Sequence, residues 1–402
     1  MHVAGIIAEY NPLHNGHVYQ IEKARELCRA DRVVVCMSGP FVQRGETAVA
    51  SKYERAEWAV RSGADIVIEM PVTGVLAPAE CFAETGVRLL QATGVVTHLS
   101  FGCETGDTEK LYRFADIRAA ESGTFRSALE RFLGQGMSYP RAYAAALGAS
   151  GIGSDDIAAM QLPNTVLAME YIAACRKFAP SFEIVPVLRN GADHLETELR
   201  DGFSSASAIR GAIRSGDGTY VSSVPKQVAE GLAASCTEPG ADEKMLSCLA
   251  MAALRSATAE GLRALPDVSE GFENVLLREA AKHHRLADFY PAVKTKRFTL
   301  SRIRRNVMQN LLGITAEKRV ALSQSPFPYL RILAAKKEAL PLCGTIRDAA
   351  PCPVLMRHAD ETLCPDGAAR LLLETDRTAH ALHELVLDRE IRKDHMGTVI
   401  VP

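Results

Sequence analysis

The sequence lacks the patterns that would settle its class at a glance. No stretch of about 18 uncharged apolar residues occurs anywhere in its 402 residues, and no basic stretch precedes a long apolar one at the N-terminus. A cytoplasmic protein with no membrane association is therefore expected. The ten cysteines are scattered, with no CxxC pair and no His/Cys cluster at metal-ligand spacing, so neither a zinc site nor a disulfide framework is signalled. His283 and His284 are adjacent but have no third ligand nearby, and read as a polar patch. Internal repeats and low-complexity tracts are absent. The apolar share of 47% and charged share of 23% suit an ordinary globular chain, long enough for two or three domains.

Charge is short of one sign only locally. Between Lys282 and Lys337 thirteen Lys/Arg face two acidic residues, net +11, which leaves −13 on the remainder of a chain whose total is −2. One segment is basic on an otherwise acidic body, the pattern of a localised polyanion contact.

What is present is a run of short apolar segments: "VAGIIA" (3–8), "RVVVCMS" (32–38), "DIVIEMP" (65–71), "HLSFGCE" (98–104) and "FEIVPVLR" (182–189). Segments with helical spacing separate them, with Val18, Ile21, Ala24 and Cys28 on one face and Tyr53, Ala56, Ala59 and Val60 on another. Val/Ile-rich strands alternating with helices predict a doubly wound parallel α/β sheet, with a helical insertion over 105–180. The alternation stops near residue 215, and "GDGTYVSSVPKQ" (216–227) reads as a boundary. Three units follow: 1–215, a helical basic region 225–325, and a small α/β unit 326–402 with "YLRILAA" and "CPVLMRHA" as strands.

In open parallel sheets, ligands bind beyond the carboxyl ends of the strands. Polar and glycine residues collect there: "EYNPLHNGH", "SGPFVQRGE", "FGCETGD" and "RNGADH". At the first corner Gly16 permits close backbone approach, and the following helix aims its N–H groups and positive dipole end at the crevice. His14 and His17 flank Gly16, so both imidazoles can donate to one phosphate as charge develops in a transition state. Losing one such donor costs about 2.7 to 4 kcal/mol of barrier. The plainer role, two rings capping a helix, stands beside this one.

Strand, HxGH and helix together resemble the nucleotidylyltransferase superfamily, and "FSSASAIR" (203–210) resembles its ISSTxIR element, with Phe203 in place of Ile and Ala206 interrupting the serines. There Ser205 and Ser207 would hold phosphates at a helix start, and Arg210 would balance their charge. In chain order, "EYNPLHNGHVYQIEKAR", "MSGPFVQRGETAVASKYERAEWAVRSGADIVIEMP", "LSFGCETGD", "QLPNTVLAMEY", "FSSASAIR" and "KTKRFTLSRIRRNVMQNLLGI" resemble the tRNA(Met) cytidine acetate ligase family as far as about residue 335. Pro40 stands where the family pattern has Asn.

The resemblance implies a Rossmann-like fold and an ATP-dependent ligase. Acetate would attack the ATP α-phosphorus, and the acetyl-adenylate would acetylate N4 of the wobble cytidine of elongator tRNA(Met). By position, the nucleotide site would include Ile7, Ala8, Glu9, Tyr10, Asn11, Pro12, Asn15, Gly16 and Gln20, with Gly102, Asn164 and Arg189. Arg44, Lys52 and Arg55 are candidate phosphate or acetate contacts at the second corner. Mg2+ is expected to travel with ATP, which would supply most of its coordination, since no acidic motif marks its ligands. The basic run offers Lys294, Lys296, Arg297, Arg302, Arg304 and Arg305 to RNA phosphates, with Phe298 as a ring for stacking. No feature predicts a protein partner. At the level of motifs, a small-molecule adenylyltransferase forming a dinucleotide cofactor and a non-catalytic RNA-binding protein remain open alternatives.

Overall fold

Short Val/Ile-rich runs form the strands that the sequence predicts, because each is apolar on both sides and needs cover on both. The computed structural model describes residues 1–120, 123–137, 139–189, 202–235, 241–269, 271–295, 298–324, 326–390 and 397–402. In chain order its strands are β1 (Val3–Ala8), β2 (Arg32–Ser38), the hairpin pair β3 (Phe41–Val42) and β4 (Glu46–Thr47), β5 (Ile66–Met70), β6 (His98–Cys103), β7 (Glu183–Leu188), β8 (Leu330–Lys336), β9 (Val354–Leu355) and β10 (Val399–Val401). The main sheet runs β10-β8-β5-β2-β1-β6-β7, with β9 beside β8. β1 is central and parallel to both neighbours, pairing Ile7 with Cys36 on one side and Ala4 with His98 on the other. The chain builds outward through β2 and β5, then crosses to β6 and β7, so the order reverses between β1 and β6. That reversal opens a crevice at the carboxyl ends of these two strands.

Alternate residues of each strand feed opposite faces. Val3, Ile7, Val34 and Cys36 pack with Val87 and Leu90 of the helix Ala79–Ala92 and with Ile172 of the helix Pro163–Phe178. Ala4, Ile6, Val33 and Val35 pack on α1 (Asn15–Leu27) and α2 (Lys52–Arg61) through Ile21, Ala24, Ala56 and Ala59. The helical insertion has its own small cluster around Phe114, Phe125, Ala146 and Met160. Among the described residues no helix is long and apolar enough to cross a membrane.

Two expectations about organisation are corrected. The strands after residue 326 do not make a separate unit: β8 pairs antiparallel with β5, matching Ile68 to Ile332, and β9 and β10 extend the same sheet. β8 is a buried run that would otherwise lack a partner on that side, and β5 would otherwise be an unpaired edge. The sheet is consequently mixed rather than wholly parallel. The first unit also outlasts residue 215, since Val224, Val228 and Leu232 join the cluster that contains β1 and α2. The helices from Ala241 to Leu312 share a core of Leu254, Phe272, Phe289, Ile303 and Val307 with Phe41, Leu76 and Ala379, whereas Ala321 and Leu322 of the helix Ala316–Ser323 pack with the main sheet. The former helices rest on the β3–β4 hairpin and on the helix Ala368–Val386.

Candidate active site

The turn after β1 places both motif histidines at the start of α1. His14 is the N-cap: its Nδ1 accepts from the Gly16 N–H at 3.1 Å, while the Nδ1 of His17 accepts from the His14 N–H at 3.3 Å. A ring nitrogen that accepts from an amide carries no proton, so the neutral imidazoles hold theirs on Nε2. The rings stack with centroids 3.7 Å apart and planes 24° from parallel, and the Tyr10 ring meets His17 edge-on at 4.8 Å. A Cβ on Gly16 would lie 2.9 Å from His14 Cε1, which explains the glycine between them. Both rings thus hold the start of α1 through Nδ1.

Both rings line a cleft of about 350 Å³ beyond the ends of β1 and β6. The structure brings Ile7, Ala8, Glu9, Tyr10, Asn11, Gln20, Arg44, Gly102, Asn164, Arg189, Ser205, Ser207 and Arg210 to that cleft with them. Ser205 caps the helix Ala206–Ser215, its Oγ accepting from the Ala208 N–H at 3.0 Å. One turn on, Arg210 donates through Nη1 to the Asn11 carbonyl at 2.8 Å and through Nη2 to Ser207 Oγ and Glu46, which ties the serine-rich element to the first corner. Burial lowers the Arg210 pKa, against the charge of Glu46. Burial pushes the Glu9 carboxyl above its usual range, opposed by the Gln43 N–H it accepts and by the charges of Arg210 and Arg44. Among the described residues the buried atoms Tyr10 Oη and Arg210 Nε find no partner, as happens where a ligand completes the hydrogen bonding. Tyr10 also holds a left-handed backbone, φ 46°, at a cost of about 1 to 3 kcal/mol.

Asn164 reaches the cleft because Glu104 holds it. The carboxylate accepts from the backbone N–H and Nδ2 of Asn164, at 3.1 and 2.7 Å, and from Thr165 Oγ1 at 2.9 Å. Burial would raise the Glu104 pKa, but these donors outweigh it and hold the carboxyl below the usual range. Reading the sequence misses Glu104 in this role, together with the apolar wall of Phe82, Phe101, Leu167 and Tyr171. Such residues look like ordinary core when only their spacing is known.

Five expected ligand residues stand behind the cleft. Pro12 and Gly16 shape the turn, and Asn15 donates to the carbonyls of Gly202 and Ser222 at 2.9 and 3.1 Å. Lys52 and Arg55 are corrected outright. Lys52 is buried, with Nζ 2.8 and 2.7 Å from the two oxygens of Glu69. Arg55 is wholly buried and donates to the carbonyls of Glu9, Ser38, Gly39 and Ala50, so it fixes the ends of β1 and β2 instead of meeting a phosphate.

The basic run is corrected as well. Lys296 and Arg297 lie outside the described residues. Lys294 is exposed, but Arg302 donates to the Asp267 carbonyl and lies over the Phe298 ring, and Arg305 is buried on the inner face of the helix Leu300–Leu312. Phe298 is itself buried, stacked on Phe272 with centroids 3.9 Å apart, so it offers no ring to RNA. Arg304 ion-pairs with Glu46 Oε1, while Arg210 pairs with its Oε2.

Comparison with known proteins matches this geometry to a family. The HIGH Nucleotidyl Transferase family model matches residues 1–397, well past the point where motifs alone give out. The tRNA(Met) cytidine acetate ligase of Clostridium acetobutylicum is 33% identical over 369 residues, covering 89% of this chain and 90% of that protein. That of Acetivibrio thermocellus is 32% identical over 392 residues, covering 95% and 94%. Two crystal structures of Thermotoga maritima TmcAL, one apo and one bound with alpha-thio ATP, superpose with TM-scores of 0.90 and 0.88 at 28% identity over the full length of both chains.

Proposed function

Because this chain belongs to the tRNA(Met) cytidine acetate ligase family, we propose that its cleft binds ATP and acetate and makes the acetyl donor for the wobble cytidine of elongator tRNA(Met). The reaction is an ATP-dependent ligation. An acetate oxygen attacks the α-phosphorus, the bond to the bridging oxygen breaks, and pyrophosphate leaves. The cytidine N4 then attacks the acetyl carbon, AMP leaves, and N4 loses a proton. Family membership sets aside both the dinucleotide-forming adenylyltransferase and the non-catalytic RNA-binding protein.

One observation carries the assignment of residues: two stacked imidazoles, each accepting a backbone N–H at Nδ1, share a cleft with Arg210 and the Ser205 helix start. In this reading His14 and His17 donate to the α-phosphate as negative charge builds on it, and Arg44, Arg189 and Arg210 balance the leaving pyrophosphate. Ser205 and Ser207 hold phosphate oxygens at the helix start. Phe82, Phe101 and Tyr171 give the adenine an apolar wall. Acetate offers little to grip, so its placement in line with the phosphorus supplies much of the rate. Among the described residues no group of three or more His, Cys, Asp or Glu is gathered for a metal, and Glu9 and Glu46 are both held by protein donors. These residues do not build a metal centre, and Mg2+ is expected to arrive on the phosphates.

The test is exchange of labelled pyrophosphate into ATP. It should require acetate, and acetylated tRNA should form when elongator tRNA(Met) is added. Exchange indifferent to acetate, or supported only by another acid, contradicts the reading.

A further inference from the structure

A second cavity, of about 710 Å³, lies directly against the ATP cleft, and the β3–β4 hairpin is the wall between them. Gln43, Arg44 and Glu46 line the cleft, whereas Gly45, Glu46 and Thr47 line the cavity. The hairpin is seated firmly. Gly45 has φ +77°, and a Cβ there would come within 2.6 Å of the Arg304 and Arg305 backbone. The other walls bring together cations far apart in sequence: Arg214 from the end of the helix that carries Arg210, Lys244, Arg285 and Arg304. Four cations face two carboxylates there, and both carboxylates are already paired, Glu46 with Arg210 and Arg304, and Glu243 with Arg214 at 3.1 Å. The Arg304 guanidinium lies over the Tyr290 ring, 5.5 Å from its centroid, a flat surface of the kind on which unpaired bases stack. The volume lies within the range of ordinary small-ligand pockets.

We propose that this cavity receives the single-stranded RNA around the target cytidine. Arg214, Lys244, Arg285 and Arg304 meet its phosphates, Tyr290 supports a base, and the cytidine amine passes Glu46 to reach the acetyl-adenylate. The inference rests on the acetyl-transfer reading, because only a reaction that consumes the adenylate with an RNA amine requires RNA next to the cleft. It replaces the continuous basic run 294–305 as the main contact. Of that run's four described cations, Arg302 and Arg305 are committed within the fold and Arg304 belongs to the cavity, whose cations are gathered from several elements onto one surface.

Cys248 lines the cavity and is exposed, which supplies a probe in the unmodified chain. Saturating elongator tRNA(Met) transcript should abolish maleimide alkylation of Cys248, read by peptide mass spectrometry, and ATP alone should not. Independently, Lys244→Glu and Arg285→Glu should each weaken RNA binding and reduce the slope of log K against log salt by about 0.7, the value for one lost phosphate contact on a single strand. A chain that binds no tRNA, or that binds it with Cys248 still open, overturns the proposal, as do wild-type slopes in both variants. Acetate-dependent exchange on the same preparation separates the two readings. Protection without exchange removes the ligase assignment and leaves the RNA cavity standing; exchange without protection removes the cavity alone.

Discussion

His14 does two things at once, and a pair of substitutions pulls them apart. As N-cap its Nδ1 takes the Gly16 N–H, and as a cleft residue its protonated Nε2 is proposed to serve the α-phosphate. Asparagine is as good a cap as any side chain but cannot place a donor where the distal ring nitrogen lies. His14→Asn should therefore lose about 2.7 to 4 kcal/mol of transition-state stabilisation, a drop of roughly 10² to 10³ in exchange rate, while stability moves by only a few tenths of a kcal/mol. His14→Ala should show the same kinetic loss and also lose the cap, about 1 kcal/mol. For 402 residues the unfolding entropy near 60 °C is about 0.8 kcal/mol/K, so that cap is worth only about 1 °C in Tm. Acetate-dependent pyrophosphate exchange and thermal unfolding on the three proteins measure both quantities. If His14→Asn retains exchange within tenfold of wild type, the ring is a helix cap and the paired-imidazole argument fails.

Arg55→Met should destabilise the protein by about 3 to 5 kcal/mol, or about 4 to 6 °C in Tm, because four buried carbonyls lose their donor; a shift under 1 °C by calorimetry would contradict its anchoring role. Glu104→Ala should raise the KM for ATP about tenfold, equivalent to 1.4 kcal/mol, with little change in kcat, since it frees Asn164 without touching the phosphates. His383 is fully buried, and burial lowers its pKa to about 3. The unfolded chain therefore binds the proton first, and stability should fall as pH drops from about 6.5 towards 3, by up to about 1.4 kcal/mol per unit from this group. His383→Gln should flatten that acid limb in urea titrations at stepped pH, and an unchanged limb would assign it to other groups.

The strands of the catalytic half were legible because a strand buried on both faces has no polar alternation to disguise it. β1 and β2 fall where "VAGIIA" and "RVVVCMS" place them. "YLRILAA" and "CPVLMRHA" were equally legible as strands, but nothing in an apolar run states which edge it will pair with. β8 joins β5 from more than 250 residues away, and only the need to cover that edge decides it. The boundary near 216–227 was misplaced for a related reason. A glycine-rich turn marks where a helix stops, while the packing of Val228 and Leu232 against α2 decides which core the next helix serves.

The site divides along the same line. HxGH and SSASAIR are compact patterns in which neighbours in sequence are neighbours in space, so His14, His17, Ser205, Ser207 and Arg210 could be read directly and do converge on one cleft. Cations offered no such shortcut. Lys52, Arg55, Arg302 and Arg305 were indistinguishable in sequence from ligand-facing residues, because a charge held by Glu69 or by four carbonyls reads the same as a charge waiting for a phosphate. Glu46 shows what that blindness conceals. Its two carboxylate oxygens are divided between Arg210 on the ATP side and Arg304 on the side of the second cavity. A polyanion arriving at either guanidinium competes with Glu46 for it and loosens the link to the other. The two substrates are then coupled through one carboxylate, so Glu46→Gln should weaken the dependence of tRNA affinity on bound ATP while leaving both sites in place. Equal coupling in wild type and Glu46→Gln, measured as the ratio of tRNA Kd with and without ATP, would place the communication elsewhere.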